Sequence, residues 1–264
     1  GANLVQNGNF DELGSELVTN GDFATDSDWT KGTGWSITNG KLRSDGTGNS
    51  GAEQTGVFNT SGKTFKITFD VNVDSGTLNS RVRFKGTGNT TISDITSAGS
   101  YTFYAVSVAS QTALNFVTLS TNTAVYSIDN VSVKQVDPNS RWNDIDGNFS
   151  FVSNGGKLSG TDSGQARLYA QNSSITSAGK TYKVSYTVVE NNGTSLQHYD
   201  GNSYEAITST VGDHSFIYTR EGSNNNFILR NPSGASAFIV LTNIMLEEQK
   251  YVATNLKLNS IPYS

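Results

Sequence analysis

Apolar and polar residues alternate along much of this chain. In Phe65-Lys66-Ile67-Thr68-Phe69-Asp70-Val71 every odd position is apolar and every even one polar, and Tyr182-Lys183-Val184-Ser185-Tyr186-Thr187-Val188 repeats the pattern. Tyr126 to Val133 continues it. A period of two turns one face of a strand to a core and the other to water, as in an antiparallel sheet. No stretch shows a helical stripe between caps, and the alternating segments recur about every ten residues between Gly, Asn and Ser turns. The pattern predicts an all-β chain of sandwich or barrel type.

The segments also come twice, in the same order. Lys157-Leu158 follows Lys41-Leu42 by 116 residues, and Lys180 of Gly-Lys-Thr-Tyr-Lys-Val follows Lys63 of Gly-Lys-Thr-Phe-Lys-Ile by 117. Gly212 follows Gly99 by 113, and Asn243 follows Asn130 by the same 113. Two tandem antiparallel β-sandwich domains fit the 264 residues. Pro138, within Lys134-Gln-Val-Asp-Pro-Asn-Ser140, ends the last strand of the first copy. The expected domains are residues 16–137 and 138–250.

A shorter repeat opens the chain. Leu4-Val-Gln-Asn-Gly-Asn-Phe10 recurs 13 residues later as Leu17-Val-Thr-Asn-Gly-Asp-Phe23. The second copy leads into Trp29 and Trp35 and is read as the first strand of the first domain. Residues 1–15 then form an arm, either to pair with the edge of a neighbouring subunit or as the remnant of a preceding module. Residues 251–264 include Leu256, Leu258, Ile261 and Tyr263. They are too apolar for a free tail and are expected to pack on the chain itself or on a partner.

Composition narrows the function. Charged residues make up 16%, the net charge is −5, and Lys and Arg form no cluster, which argues against nucleic acid. There is no cysteine, so no disulfide and no thiolate metal site. The opening Gly1-Ala2-Asn3 has no signal-peptide character, and no apolar run would span a bilayer as a helix, so membrane insertion is not expected. There is no nucleophile elbow, and Gly86-Thr-Gly88 lacks the lysine of a phosphate loop. His198 and His214 lack metal-ligand spacing, and acids such as Asp26, Asp28, Asp144 and Asp146 fall in turns. No residue is assigned a catalytic role, and the chain is read as non-enzymatic.

The strings Leu17-Val-Thr-Asn-Gly-Asp-Phe23, Gly34-Trp35-Ser-Ile37, Gly62-Lys-Thr-Phe-Lys-Ile-Thr-Phe-Asp70 and Ile128-Asp-Asn-Val-Ser-Val133 resemble those of jelly-roll, galactose-binding-like carbohydrate-binding modules appended to xylanases and cellulases. They resemble still more the copies of that fold in tailed-phage virion proteins, where Asp-Asn-Val-Ser-Val-Lys-x-Val-Asp-Pro joins consecutive modules, as Asp129 to Pro138 does here. The resemblance covers Glu16 to Pro138 well and the second half less well. It implies a structural calcium in the first domain, held by Asp129 and Asp22, although Ala24 stands where the family has Glu. Thr242 removes the equivalent ligand from the second domain. No other cofactor is implied.

A glycan site stacks sugar rings on aromatic side chains and bonds the hydroxyls with amides and charged groups. The candidates outside the alternating pattern are Trp29, Tyr104, Trp142, Tyr199 and Tyr204, with His198 in the same short stretch as the last two. Closure of the core is the competing role for the tryptophans. The resemblance implies a non-enzymatic virion structural protein, a capsid decoration or a fibre or tail component. Its partners would be capsid or tail proteins, with weak adhesion to cell-surface or environmental glycans and scope for a homo-oligomer. Its location would be the virion surface. The alternative is a glycan-binding module pair of a secreted bacterial polysaccharide-degrading system.

Overall fold

The computed structural model describes residues 1–160, 165–170, 175–232 and 237–250. Every regular element among them is a strand, and the strands form four antiparallel sheets in two β-sandwich domains. The expected packing of residues 251–264 lies outside the described residues. The first domain is Asp11–Pro138; the second is Asn139 onward together with Gly1–Phe10.

The first domain holds β1 (Leu13–Glu16), β2 (Thr30–Lys31), β3 (Trp35–Ile37), β4 (Leu42–Ser44), β5 (Gly51–Gln54), β6 (Thr64–Ser75), β7 (Ser80–Gly86), β8 (Gly88–Ile95), β9 (Gly99–Val106), β10 (Ala113–Thr118) and β11 (Val125–Val136). One sheet runs β3-β4-β11-β6-β9, with β1 paired to the far half of β11; the other runs β2-β5-β10-β7-β8. The second domain holds β12 (Trp142–Asp144), β13 (Phe149–Val152), β14 (Gly155–Ser159), β15 (Ala166–Ala170), β16 (Thr181–Asn191), β17 (Leu196–Tyr199), β18 (Tyr204–Ile207), β19 (Gly212–Thr219), β20 (Ile228–Asn231) and β21 (Phe238–Glu248). Its sheets run β13-β14-β21-β16-β19 and β12-β15-β20-β17-β18. Adding ten to each label from β2 to β11 reproduces the second domain, so the duplication extends to topology.

The alternation acts as the sequence suggests. Phe65, Ile67, Phe69 and Val71 of β6 enter one core, and Tyr182, Val184, Tyr186 and Val188 of β16 enter the other. The alternation expected through Tyr126 to Val133 breaks once. Tyr126 and Ile128 are buried, then Val131 and Val133. The register to β6 shifts between Asp129 and Ser132, where Asn130 adopts a φ of 53°. This is a β-bulge, and the extra residue moves the buried set by one position. In β21 the buried pair Ile239 and Leu241 gives way to Ile244 and Leu246 across Asn243, with φ 52°. Asn tolerates the left-handed conformation better than most residues, which explains why it is the shared letter of the two strings.

The arm expected at residues 1–15 is not an arm. Leu4 N–H donates to the Leu246 carbonyl at 2.8 Å, as Leu17 N–H does to that of Val133 at 3.0 Å. Ile244 N–H donates to Gly8 O at 2.8 Å, as Val131 N–H does to Gly21 O at 2.9 Å. A β-carbon on Gly8 would lie 2.0 Å from Ile244 O, and one on Gly21 2.0 Å from Val131 O, so the close approach demands glycine in both. Phe10 and Phe23 share a positive φ, 59° and 51°, and both are buried. Such a φ is unfavourable for a bulky residue, and core burial holds it in place. The first segment therefore belongs to the second domain, tied to it by the isolated bridge Asn3–Glu247, and the whole first domain is inserted behind it; its equivalent Leu17–Phe23, read as a first strand, holds no strand, and the first strand of that domain lies just before it at Leu13–Glu16. The expected boundaries of 1–15 and 138–250 give way to this arrangement.

Candidate functional site

The outer face of β12-β15-β20-β17-β18 is where sequence candidates and new residues converge. Ala166, Leu168 and Ala170 of β15 are buried, which turns Arg167 and Tyr169 outward. Leu196 and His198 of β17 are buried, which turns Gln197 and Tyr199 outward. Arg230 of β20 lies directly between Arg167 and Gln197 in register. Tyr199 pairs with Tyr204 of β18 across the hairpin Asp200–Ser203.

Side chains on this face are braced by one another. The Tyr199 and Tyr204 rings lie 5.0 Å apart at 44°. The Arg230 guanidinium carbon sits 3.5 Å over the centre of the Tyr204 ring, a cation–π contact. Arg230 donates from Nε to Gln197 Oε1 at 2.8 Å, from Nη2 to the same oxygen, and from Nη1 to Gln165 Oε1 at 2.8 Å. Arg167 grips Asp146 with two bonds, Nε to Oδ2 at 2.9 Å and Nη2 to Oδ1 at 2.8 Å. These bonds hold the Asp146 carboxyl below its ordinary range and raise the Arg167 pKa. Tyr199 OH donates to Gly201 O at 2.9 Å, which fixes its ring. The result is a half-buried platform of rings with amides and two guanidinium groups between them.

The other candidates stand elsewhere. Trp29 and Trp142 are core residues, 4% and 6% exposed. Each caps its core beside the matching phenylalanine, with Trp29 5.3 Å from Phe23 and Trp142 5.0 Å from Phe10. Their indole N–H groups donate to the carbonyls of Asn20, at 3.2 Å, and Asn7, at 2.7 Å. No sugar ring can reach either. Tyr104 belongs to the first domain, in β9 opposite Lys66, and burial raises its pKa. His198 points inward and is 3% exposed, with Phe216 and Tyr218 each 4.6 Å from its ring. Neither ring nitrogen has a hydrogen-bond partner, and burial pushes its pKa down to about 4. The glycan role expected of Trp29, Trp142 and His198 is thereby withdrawn, while Tyr199 and Tyr204 stand together.

The calcium ligands implied by resemblance do not form a site. Asp22 accepts from the N–H of Ala24 at 3.4 Å, and Asp129 from that of Asn130 at 2.8 Å. Among the described residues no three His, Asp or Glu side chains converge. Calcium takes six to eight oxygens, several of them charged, and this donor set falls short.

The corresponding face of the first domain, β2-β5-β10-β7-β8, differs in kind. Arg83 Nε donates to Asn115 Oδ1 at 2.7 Å, Arg81 meets Asp94 at 2.6 Å, and Lys85 meets Glu53. Its strands carry two aromatics, Phe84 and Phe116, and both are buried in the core. The platform belongs to the second domain alone.

No protein-family model matches the chain, and no curated protein does. Solved structures do. The tandem CBM22 domain of Paenibacillus barcinonensis Xyn10C aligns over 91% of this chain and 100% of its own, at 11% identity and a TM-score of 0.38. A family 29 carbohydrate-binding module aligns over 48% of this chain and 94% of its own, at 14% identity and a TM-score of 0.34. A CBM4 structure covers 41% of this chain and 94% of its own, at 17% identity and a TM-score of 0.31. At these scores the likeness carries no argument, and the fold, two antiparallel β-sandwich domains, stands on the strand pairing itself. It specifies no ligand, because one scaffold carries many sites.

Proposed function

We propose that this is a non-catalytic glycan-binding protein whose second domain holds a sugar chain on the Tyr199–Tyr204 platform. The observation that carries the reading is that pair of half-buried rings 5.0 Å apart, flanked by Gln197, Gln165 and Arg230. Aromatic faces pack the apolar side of a sugar ring, while amides and guanidinium groups bond its hydroxyls. Because the side chains are already bonded to one another, little entropy is lost when a ligand arrives. The carboxylate bonded to the platform's Arg167, Asp146, is held in a bidentate ion pair, a poor start for acid–base work.

A virion role drew on the module-joining string Asp129 to Pro138 and on the opening residues as an anchoring arm, and the opening residues serve their own domain. The glycan reading needs no arm. It carries the expectation of a location outside the cell or on a particle surface. Affinity electrophoresis or calorimetry against a polysaccharide panel tests it. Tyr199→Ala and Tyr204→Ala should each weaken binding about tenfold or more, the loss expected of a buried aromatic anchor. Arg83→Ala in the first domain should not. Unchanged binding in both tyrosine variants would refute the assignment.

A further inference from the structure

The platform carries more positive charge than its own partners neutralise. Arg167 and Arg230 lie directly opposite each other on adjacent strands. Like charges in that position repel; the Arg230 pKa is lowered by burial first, with Tyr204 raising it and Arg167 lowering it. One carboxylate, Asp146, serves the pair, and it is spent on Arg167. Arg230 bonds to two neutral amide oxygens, those of Gln197 and Gln165. A guanidinium has five N–H donors in a planar fork. Arg230 uses three of them, so one on Nη1 and one on Nη2 stay available while the group is clamped over Tyr204.

A neutral sugar platform needs no such arrangement, since amides alone would bond hydroxyls without the repulsion. We propose that the ligand is an acidic glycan, and that Arg230 pairs with a carboxylate or sulfate group on it while the tyrosines carry the ring. This rests on the glycan reading above. A planar fork held in place matches such an oxyanion, which can accept both remaining donors at once. Gln197 and Gln165 aim the fork without competing for its charge. In the first domain Arg81 and Lys85 are each paired with an acid, while Arg83, like Arg230, is bonded to an amide oxygen but, among the described residues, carries no ring beneath it.

The experiment is affinity electrophoresis and calorimetry of the full chain with polygalacturonate, a sulfated galactan, and the neutral polymers xylan and dextran. Titration with NaCl from about 50 to 500 mM separates the electrostatic part. Binding to one of the acidic polymers at least tenfold tighter than to either neutral one, and falling with salt, is the expected result. Preference for polygalacturonate would identify a carboxylate, and preference for the galactan a sulfate. Arg230→Gln should erase the preference and the salt dependence, while Arg230→Lys should keep part of both. Hydrogen exchange on both variants checks that β15, β17 and β20 stay folded. Equal binding to neutral and acidic polymers, insensitive to salt, overturns this inference and leaves glycan binding intact. Failure to bind any of the four overturns both.

Discussion

Replacing Phe10 by Ala tests the insertion directly. Phe10 lies next to the first domain in sequence, yet its ring is 3% exposed and sits 5.0, 5.8 and 6.2 Å from Trp142, Phe149 and Phe151 of the second. Truncating a buried Phe to Ala typically costs about 3–5 kcal/mol, from lost burial plus the cavity left behind. For a domain of this size each kcal/mol lowers Tm by roughly 3–5 °C, so a drop of roughly 9–25 °C is expected, confined to the second domain. Hydrogen exchange read by mass spectrometry resolves the two. Peptides across 182–188 and 239–246 should lose protection in the variant, while 65–71 and 126–133 keep theirs. Phe23→Ala should do the reverse, because Phe23 packs 5.3 Å from Trp29 in the first core. Loss of protection at 65–71 in Phe10→Ala, or full retention at 239–246, would show that the opening segment does not serve the second domain.

Two further outcomes follow from the same structure. His198 has a folded pKa near 4 against an ordinary 6.5, so the unfolded chain binds its proton first and stability falls as pH drops through that window, by about 3 kcal/mol in all. The second domain's Tm should therefore decline between about pH 6.5 and 4 and His198→Phe should flatten the slope; an unchanged slope in that variant would assign the effect elsewhere. Joining residues 1–10 directly to 139–264 should yield a folded second domain by near-ultraviolet circular dichroism, whereas 139–264 alone should not; a folded 139–264 would contradict the placing of residues 1–10 in that domain.

How much could be read beforehand depended on how far apart the deciding residues lay. Period-two alternation announced β6 and β16, because each such strand declares its own buried face. The hairpin from Leu196 to Tyr204 put Tyr199 and Tyr204 within nine residues, and their pairing was visible. The burial of His198 was visible too, since it shares parity with Leu196, but its polarity suggested the surface. Trp29 and Trp142 stayed open between sugar face and core, because their indole N–H groups are satisfied by a backbone carbonyl in the Asn-Gly turn, a partner no pattern reveals. Arg230 was hidden differently. In Ile228-Leu-Arg-Asn231 every other residue is buried, so no alternation marks it. It meets Arg167 only through pairing between strands some sixty residues apart. The opening segment was legible as a repeat, but neither its turns nor whose core it enters could be read: alternation names a face, not a neighbour.

The nested order has a consequence for synthesis. Asn3 waits for Leu246, whose N–H it accepts at 3.0 Å across 243 residues of chain. At about 5–20 residues per second that is a delay of roughly 12–50 s on the ribosome. Throughout it Val5 and Phe10 have no core to enter, while the first domain can fold as soon as Val136 emerges. That domain also draws its own ends together, Asp137 N–H donating to Glu12 O at 2.9 Å. The nascent chain thus carries a finished module behind a segment, residues 1–10, that finds its core only once Leu246 has been made.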